Sequence, residues 1–258
     1  MNPTFVDTHC HFDFDPFCGN EEASLRLAAE AGVEKIIVVG VAADRYAGVM
    51  ALAERWAPLY AALGTHPMAI DQHQDAHLDE LESYLRQRPE KLVALGEIGL
   101  DLYIENPQFE KQERVLDAQL RLAKKYDLPV ILHSRRTHDK LAQHLKRLDV
   151  PRRGVVHGFA GSEQQALAFI RAGYAIGVGG TITYERASKT RTTIARLPLS
   201  SLLLETDAPD MPLQGFQGEA NRPERVKNVW QSLCELRAES PQEIAETLRE
   251  NTRALFQL

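Results

Sequence analysis

Cysteine is scarce in this chain, with only Cys10, Cys18 and Cys234 among 258 residues. Three thiols without a C-x-x-C pair make neither a disulfide framework nor a cysteine zinc site, and read as free thiols in a reducing compartment. Long apolar runs are missing too, and the N-terminus lacks the basic-then-apolar plan of a signal peptide. Together these point to a cytoplasmic protein with no membrane partner. Positive charge is in deficit, since 30 Lys and Arg face 36 Asp and Glu for a formal net charge of −6. No overall field therefore draws the chain to a polyanion, and such a substrate must be held by a local cluster or by metal. No G-x-G-x-x-G follows the first apolar run, which removes the main sequence argument for a dinucleotide-binding sheet. Residue-level repeats, low-complexity tracts and linkers are absent as well, so 1–258 reads as one domain, with no obligate protein partner evident.

What is present is a regular beat. Hydrophobic residues make up 44% and charged residues 26%, enough for a sizeable core. Short apolar or β-branched runs predict strands at Thr4–Thr8, Lys35–Val39, Leu59–Leu63, Leu92–Leu95, Pro129–Leu132, Gly154–Val156, Tyr174–Val178 and Ser201–Leu204. Helical spacing fills the gaps. In "PQFEKQERVLDAQLRLAKKYDLP", Phe109, Leu116, Leu120 and Ala123 share one face, with Pro107 able to start the helix and the Asp127–Pro129 stretch to end it. "SEQQALAFIRAGY" predicts Ser162 as a cap with Gln165 as its partner, and Gly173 as the stop. Eight alternating units at this length predict an α/β fold, a single (β/α)₈ TIM-type barrel. "GVGG" at Gly177–Gly180 reads as a strand end where the backbone turns closely. "APDMPLQGFQGEANRPE", after the last strand, reads as the most flexible loop.

In such a barrel, reacting groups sit at the C-terminal ends of the strands. "FVDTHCHFDF" ends the first strand, and side-chain alternation puts His9 and His11 on one face and Cys10 on the other, toward the core. "ALGTHP" places His66, "ALGEIGLD" Glu97 and Asp101, "VILHSRR" His133, "GVVHGF" His157, and "LLLETDAP" Glu205 and Asp207. His73, His77, His138 and His144 fall in polar or helical contexts and read as solvent-facing. His9, His11, Glu97, His133, His157 and Asp207 are four imidazoles and two carboxylates. A single catalytic zinc takes about three protein ligands, so six suit two ions roughly 3.5–4 Å apart. Glu97 is the natural bridge, because its strand lies between the two histidine groups. His9, His11 and Asp207 would then hold one ion, and His133 and His157 the other. The mixed N/O set favours Zn²⁺, Mn²⁺ or Co²⁺, with Mg²⁺ possible.

"DTHCHFD", "LGTHP", "ALGEIGLDLY", "VILHSRR", "VVHGFAGS", "LLLETDAPDMP" and "NRPE" resemble the ordered motifs of the TatD family of metal-dependent deoxyribonucleases, a branch of the amidohydrolase-like barrels. The likeness spans essentially the whole chain. It implies a (β/α)₈ fold, a dinuclear site on the same six residues, and phosphodiester hydrolysis, typically 3′→5′ trimming of single-stranded or frayed DNA. The expected chemistry is attack of an activated water on phosphorus, with Asp207 and Glu97 as the catalytic carboxylates and Asp207 taking the proton. His66 is expected to donate to phosphate and Arg135 to pin a nonbridging oxygen, with Arg136 in reserve. Asp101 is counted with these substrate contacts or behind a ligand, and Glu205 behind the metal. A small phosphoester, ester or amide substrate is the rival on the same site, favoured by the acidic net charge and the lack of an evident basic stripe or aromatic stacking platform. A non-catalytic metal- or nucleic-acid-binding protein is the remaining class.

Overall fold

The computed structural model describes residues 2–258. Its eight strands are β1 (Phe5–Cys10), β2 (Val33–Val39), β3 (Leu59–Leu63), β4 (Leu92–Asp101), β5 (Val130–Arg135), β6 (Gly154–Val156), β7 (Ala175–Val178) and β8 (Leu202–Leu204). They lie side by side in chain order, every neighbouring pair parallel. The helices are α1 (Glu21–Glu30), α2 (Tyr46–Arg55), α3 (Asp75–Arg86), α4 (Phe109–Tyr126), α5 (His138–Leu148), α6 (Glu163–Arg171), α7 (Ser188–Arg196), α8 (Val226–Leu236) and α9 (Pro241–Phe256). This is the (β/α)₈ barrel. The sheet closes between β8 and β1 through a short seam rather than a full ladder, with Thr8 Oγ1 donating to Leu204 O at 2.7 Å and Cys10 bridging Ala208.

Strand alternation separates two apolar cores. Ile36, Val38, Leu132, Val156, Leu202 and Leu204 face outward and are buried under the helices. Ile37, Val39, Ile131, Val155 and Leu203 face inward, where Phe256 of α9 joins them. The inward parity leads directly to the site: Ile131 is followed two residues on by His133, Val155 by His157, and Leu203 by Glu205. Cys10, expected in the core, is fully buried in the outer one.

Local signals behave as their chemistry requires. Ser162 and Gln165 form a reciprocal capping box at α6, and Gly173 follows that helix at φ +92°. Helix α4 begins at Phe109, past Pro107, and stops where Asp127 turns left-handed. Several strands run longer than expected, β4 and β5 the furthest at the site: β4 extends to Asp101 and β5 to Arg135, so Glu97, Asp101 and His133 lie within strands. Polar side chains there signal a strand end to sequence reading, yet the backbone ladder pairs Gly99 with His133 and Asp101 with Arg135. The loop after β8 is pinned rather than loose. Asn221, fully buried, donates to Thr206 O at 2.8 Å and Met211 O at 3.1 Å, and Tyr184 Oη donates to Pro212 O.

Candidate metal centre

The site begins at the closing seam. Asp207 N donates to His9 O at 2.9 Å and His11 N to Ala208 O at 2.8 Å, so the bonds that shut the barrel also place His9, His11 and Asp207 beside one another. Asp207 holds φ +62°, a left-handed conformation that aspartate tolerates better than most residues. Behind the seam Asp7 accepts from His9 N (3.1 Å), Thr206 N (3.0 Å) and Thr206 Oγ1 (2.6 Å). Burial pushes its carboxyl up to about 7 against those three donors. Asp7→Asn would turn an amide donor toward a pocket that offers donors. The expected cost is about 1–3 kcal/mol, read as a melting temperature lower by about 2–4 °C per kcal/mol. An unchanged melting temperature in metal-free protein would show that the seam does not depend on this carboxylate.

Glu97, almost fully buried, faces two ways. Its Oε1 lies 3.1 Å from His9 Nε2 and 3.6 Å from His11 Nε2, and both imidazoles stand 3.2–3.3 Å from Asp207 Oδ1. Its Oε2 lies 2.6 Å from His157 Nε2, 3.1 Å from His133 Nδ1 and 3.2 Å from His66 Nε2. Bonds of about 2.0–2.2 Å to a tetrahedral ion would put neighbouring ligand atoms about 3.3–3.6 Å apart. The carboxylate-to-imidazole distances of the first group, 3.1–3.6 Å, are close to that spacing, and its N/O chemistry suits a divalent transition ion. The residues present fit a metal.

Hydrogen bonds behind the rings determine which nitrogens can bind one. His157 gives Nδ1–H to Glu205 Oε2 at 3.0 Å, so its Nε2 lone pair faces Glu97. Glu205 is held in turn by Gly158 N at 2.8 Å. It fills the space beside Gly177, where any Cβ would collide with its carboxylate, which is the reason "GVGG" needs a glycine there. His133 turns Nε2 to Asp101 Oδ2 at 2.7 Å and leaves Nδ1 toward Glu97. Neither His9 Nδ1 nor His11 Nδ1 has a protein partner, so no hydrogen bond behind these two rings sets their tautomer. His66 is the exception. Its Nδ1 accepts from Met68 N at 2.9 Å, which puts the proton on Nε2 and makes this ring a donor rather than a ligand.

The charges agree with that division. Burial opposes protonation of His9, and His157 opposes it too, yet Glu97 and Asp207 outweigh both and lift it to about 9. Burial likewise opposes, and the carboxylates override, at His133 and His157, which are both raised. Burial holds His66 below its ordinary value despite Glu97. Glu97 and Asp207 stay ionised well below the usual carboxylate range, where surrounding imidazoles outweigh the burial that would raise them. In the metal-free protein, imidazolium protons therefore occupy positions a cation would take, and binding must expel them. Apparent affinity for Zn²⁺ or Mn²⁺ should rise with pH through neutrality and above it, because His9, His133 and His157 are all raised. Titration in weakly buffered indicator solution should register protons released on binding, and pH-independent affinity without release would contradict this reading.

The other expected residues are placed as follows. Asp101 is buried behind His133 and also accepts from Tyr103 N at 2.7 Å, a position for orienting the ring rather than meeting substrate. Arg135 and Arg136 are exposed at the end of β5, both over the Tyr103 ring. Two of the four histidines expected to face solvent do not. His144 is buried between α4 and α5, 2.6 Å from both Glu113 and Asp117, because α5 turns its Leu141–Leu145 face inward. His73 is buried against Thr65 Oγ1. His77 and His138 are half-buried, the first capping α3 and the second bonded to Ser134 and Ala160 O. Sequence reasoning passed over Asp7 and Thr206 and gave Asn221 no role of its own. The acid in "FVDTH", on the same strand face as His9 and His11, was the available signal.

A family model described as TatD related DNase matches residues 6–257. An Escherichia coli K12 protein described as the uncharacterized metal-dependent hydrolase YjjV is 66% identical, over 98% of this chain and 97% of its own. The crystal structure of the E. coli YjjV TatD homologue superposes with a TM-score of 0.97, at 65% identity, covering 98% of both chains. A Pantoea vagans protein described as the 3′-5′ ssDNA/RNA exonuclease TatD is 31% identical, over 94% of this chain and 95% of its own.

Proposed function

Because this chain belongs to the TatD-related family of metal-dependent hydrolases, we propose that it hydrolyses phosphodiester bonds, removing nucleotides from the 3′ end of single-stranded or frayed DNA with two divalent ions bound. The observation that carries this reading is the two-sided Glu97. One oxygen faces His9, His11 and Asp207, the other faces His133 and His157, and the His66 donor remains beside them. The description of the Pantoea relative as a single-strand exonuclease supports the choice of bond.

Ions held there would supply water that ionises near neutral pH and would neutralise charge developing on phosphorus. The chain's own part follows from its geometry. Glu97 holds the two halves of the site in register. Asp207, more exposed than Glu97, keeps an ionised carboxylate at the rim. It accepts the proton of the attacking water and returns it to the leaving 3′ oxygen as the P–O3′ bond breaks. The shortened strand then ends in a 3′ hydroxyl, and the released nucleotide carries a 5′ phosphate. His66 donates Nε2–H to a phosphoryl oxygen, and Arg135 offers a forked contact to another. Glu205 and Asp101 fix the tautomers of His157 and His133.

The test is hydrolysis of 3′-labelled and 5′-labelled single-stranded oligonucleotides by protein reloaded with Mn²⁺, Zn²⁺ or Mg²⁺. Stepwise metal-dependent shortening of the 5′-labelled strand, with early release of the 3′ label, is expected. Intact DNA with metal bound would leave the hydrolase in place and overturn the substrate, pointing to a small ester, phosphoester or amide.

A further inference from the structure

Exposed apolar side chains are not scattered over this molecule. Among the described residues, five large ones stand in solvent: Leu27 (43% exposed), Met68 (68%), Leu102 (41%), Tyr103 (53%) and Met211 (52%). All but Leu27 sit on the catalytic rim, in loops that follow a site residue closely. Met68 comes two residues after His66 and gives it the hydrogen bond that fixes its tautomer. Leu102 and Tyr103 follow Asp101, and Met211 follows Asp207 by four residues. Burying these four would be favourable, and nothing in the chain does so.

Tyr103 is built into the site. Its amide is held by Asp101, which holds His133, and Leu102 N donates to Arg135 O at 3.0 Å. These bonds tie the ends of β4 and β5 together. They bring Arg135 Cζ to 3.6 Å and Arg136 Cζ to 4.7 Å from the centre of the Tyr103 ring. An aromatic face joined to two cations beside a phosphate-hydrolysing centre matches the chemistry of an unpaired nucleotide. The base presents a flat π surface, and its phosphate presents a charge that a protein of net charge −6 must meet locally.

We propose that Tyr103, with the guanidinium groups of Arg135 and Arg136, is a nucleobase-stacking subsite. It takes a base next to the scissile phosphate, and Leu102, beside Tyr103 in the chain, supplies apolar contact next to it. The inference rests on the phosphodiesterase reading and deepens it. Every base has a π face, so the subsite does not discriminate sequence. A base inside a duplex has both faces covered by its neighbours, so the subsite selects single-stranded or frayed ends. The platform that sequence reading did not find arises because "DLY" and "SRR" are adjacent only across the β4–β5 ladder.

The experiment compares wild type, Tyr103→Ala and Tyr103→Phe on a single-stranded oligonucleotide and on the same strand with abasic residues at its last two 3′ positions. Alanine substitution at a base-stacking aromatic weakens binding by about tenfold or more. Tyr103→Ala should therefore raise KM on the intact strand by about tenfold and leave kcat within about twofold. Tyr103→Phe should behave as wild type, and on the abasic strand the three proteins should be equivalent. Equal KM values on the intact strand would overturn the proposal. So would an equal penalty on the abasic strand, since the ring would then act only through Asp101 and His133. A second readout needs no turnover. An oligonucleotide with 2-aminopurine at its 3′ end, bound to Mn²⁺-loaded Asp207→Asn protein, should be quenched, and the quench should vanish when Tyr103→Ala is added. If wild type cleaves no oligonucleotide, the phosphodiesterase reading fails. An unaltered quench in the double variant sinks the subsite separately.

Discussion

Replacing Glu97 by Gln should reduce hydrolysis by on the order of 10³-fold or more and lower the bound metal per chain. The residue is nearly isosteric, so the loss will be electrostatic rather than steric. Glu97 is the one carboxylate whose two oxygens face different histidine groups, Oε1 toward His9 and His11, and Oε2 toward His133, His157 and His66. An amide is neutral, so both groups lose their anionic partner, and one of them meets a donor whichever way it turns. The imidazoles gathered there are buried and mutually repulsive, and without Glu97 only the peripheral carboxylates of Asp207, Asp101 and Glu205 offset their charge. Far-UV circular dichroism should report an intact barrel, and elemental analysis should report less than the wild-type metal content. Full metal content with full activity would show that Glu97 does not join the two halves.

Asp207→Asn separates proton handling from the architecture of the site. Its side chain meets His9 and His11 at 3.2–3.3 Å, and its backbone closes the seam to His9 O. Asparagine keeps the backbone bond and one oxygen but cannot accept a proton at neutral pH. The expected loss in kcat is about 10²–10⁴-fold, with KM little changed because His66 and the rim still hold the phosphate. Some loss of metal from the His9–His11 side is also expected, and the His133–His157 side should be spared. The pH–rate profile should fall in height and keep its shape, because Asp207 is already ionised across the accessible range. Wild-type kcat in a fully loaded variant would assign the proton to another group.

Much of this was legible before any coordinates. Parallel strands read as apolar runs, and a polar side chain two residues past an inward Ile, Val or Leu stays on the inward face. Ile131 to His133, Val155 to His157 and Leu203 to Glu205 were therefore recoverable from spacing alone, as was the pairing of His9 with His11; Asp207 lies past the end of β8, at a left-handed turn. His144 was misplaced because polarity in a helix does not reveal which neighbour it faces. Only the approach of α4 supplies Glu113 and Asp117 to both its nitrogens.

The sequence by itself determined the barrel and singled out the six candidate ligands, because both depend on local periodicity and on side-chain chemistry. Tertiary structure alone decided the rest. The seam between β1 and β8 joins residues nearly two hundred positions apart, and it sets Asp7 against Thr206 and His9 against Asp207. Hydrogen bonds behind two of the rings set their tautomers, leaving the His157 Nε2 lone pair toward Glu97 and making His66 a donor. The Tyr103–Arg135 stack exists because two strands are in register. Periodicity tells a residue which way to point, and only the closed barrel determines what it meets there.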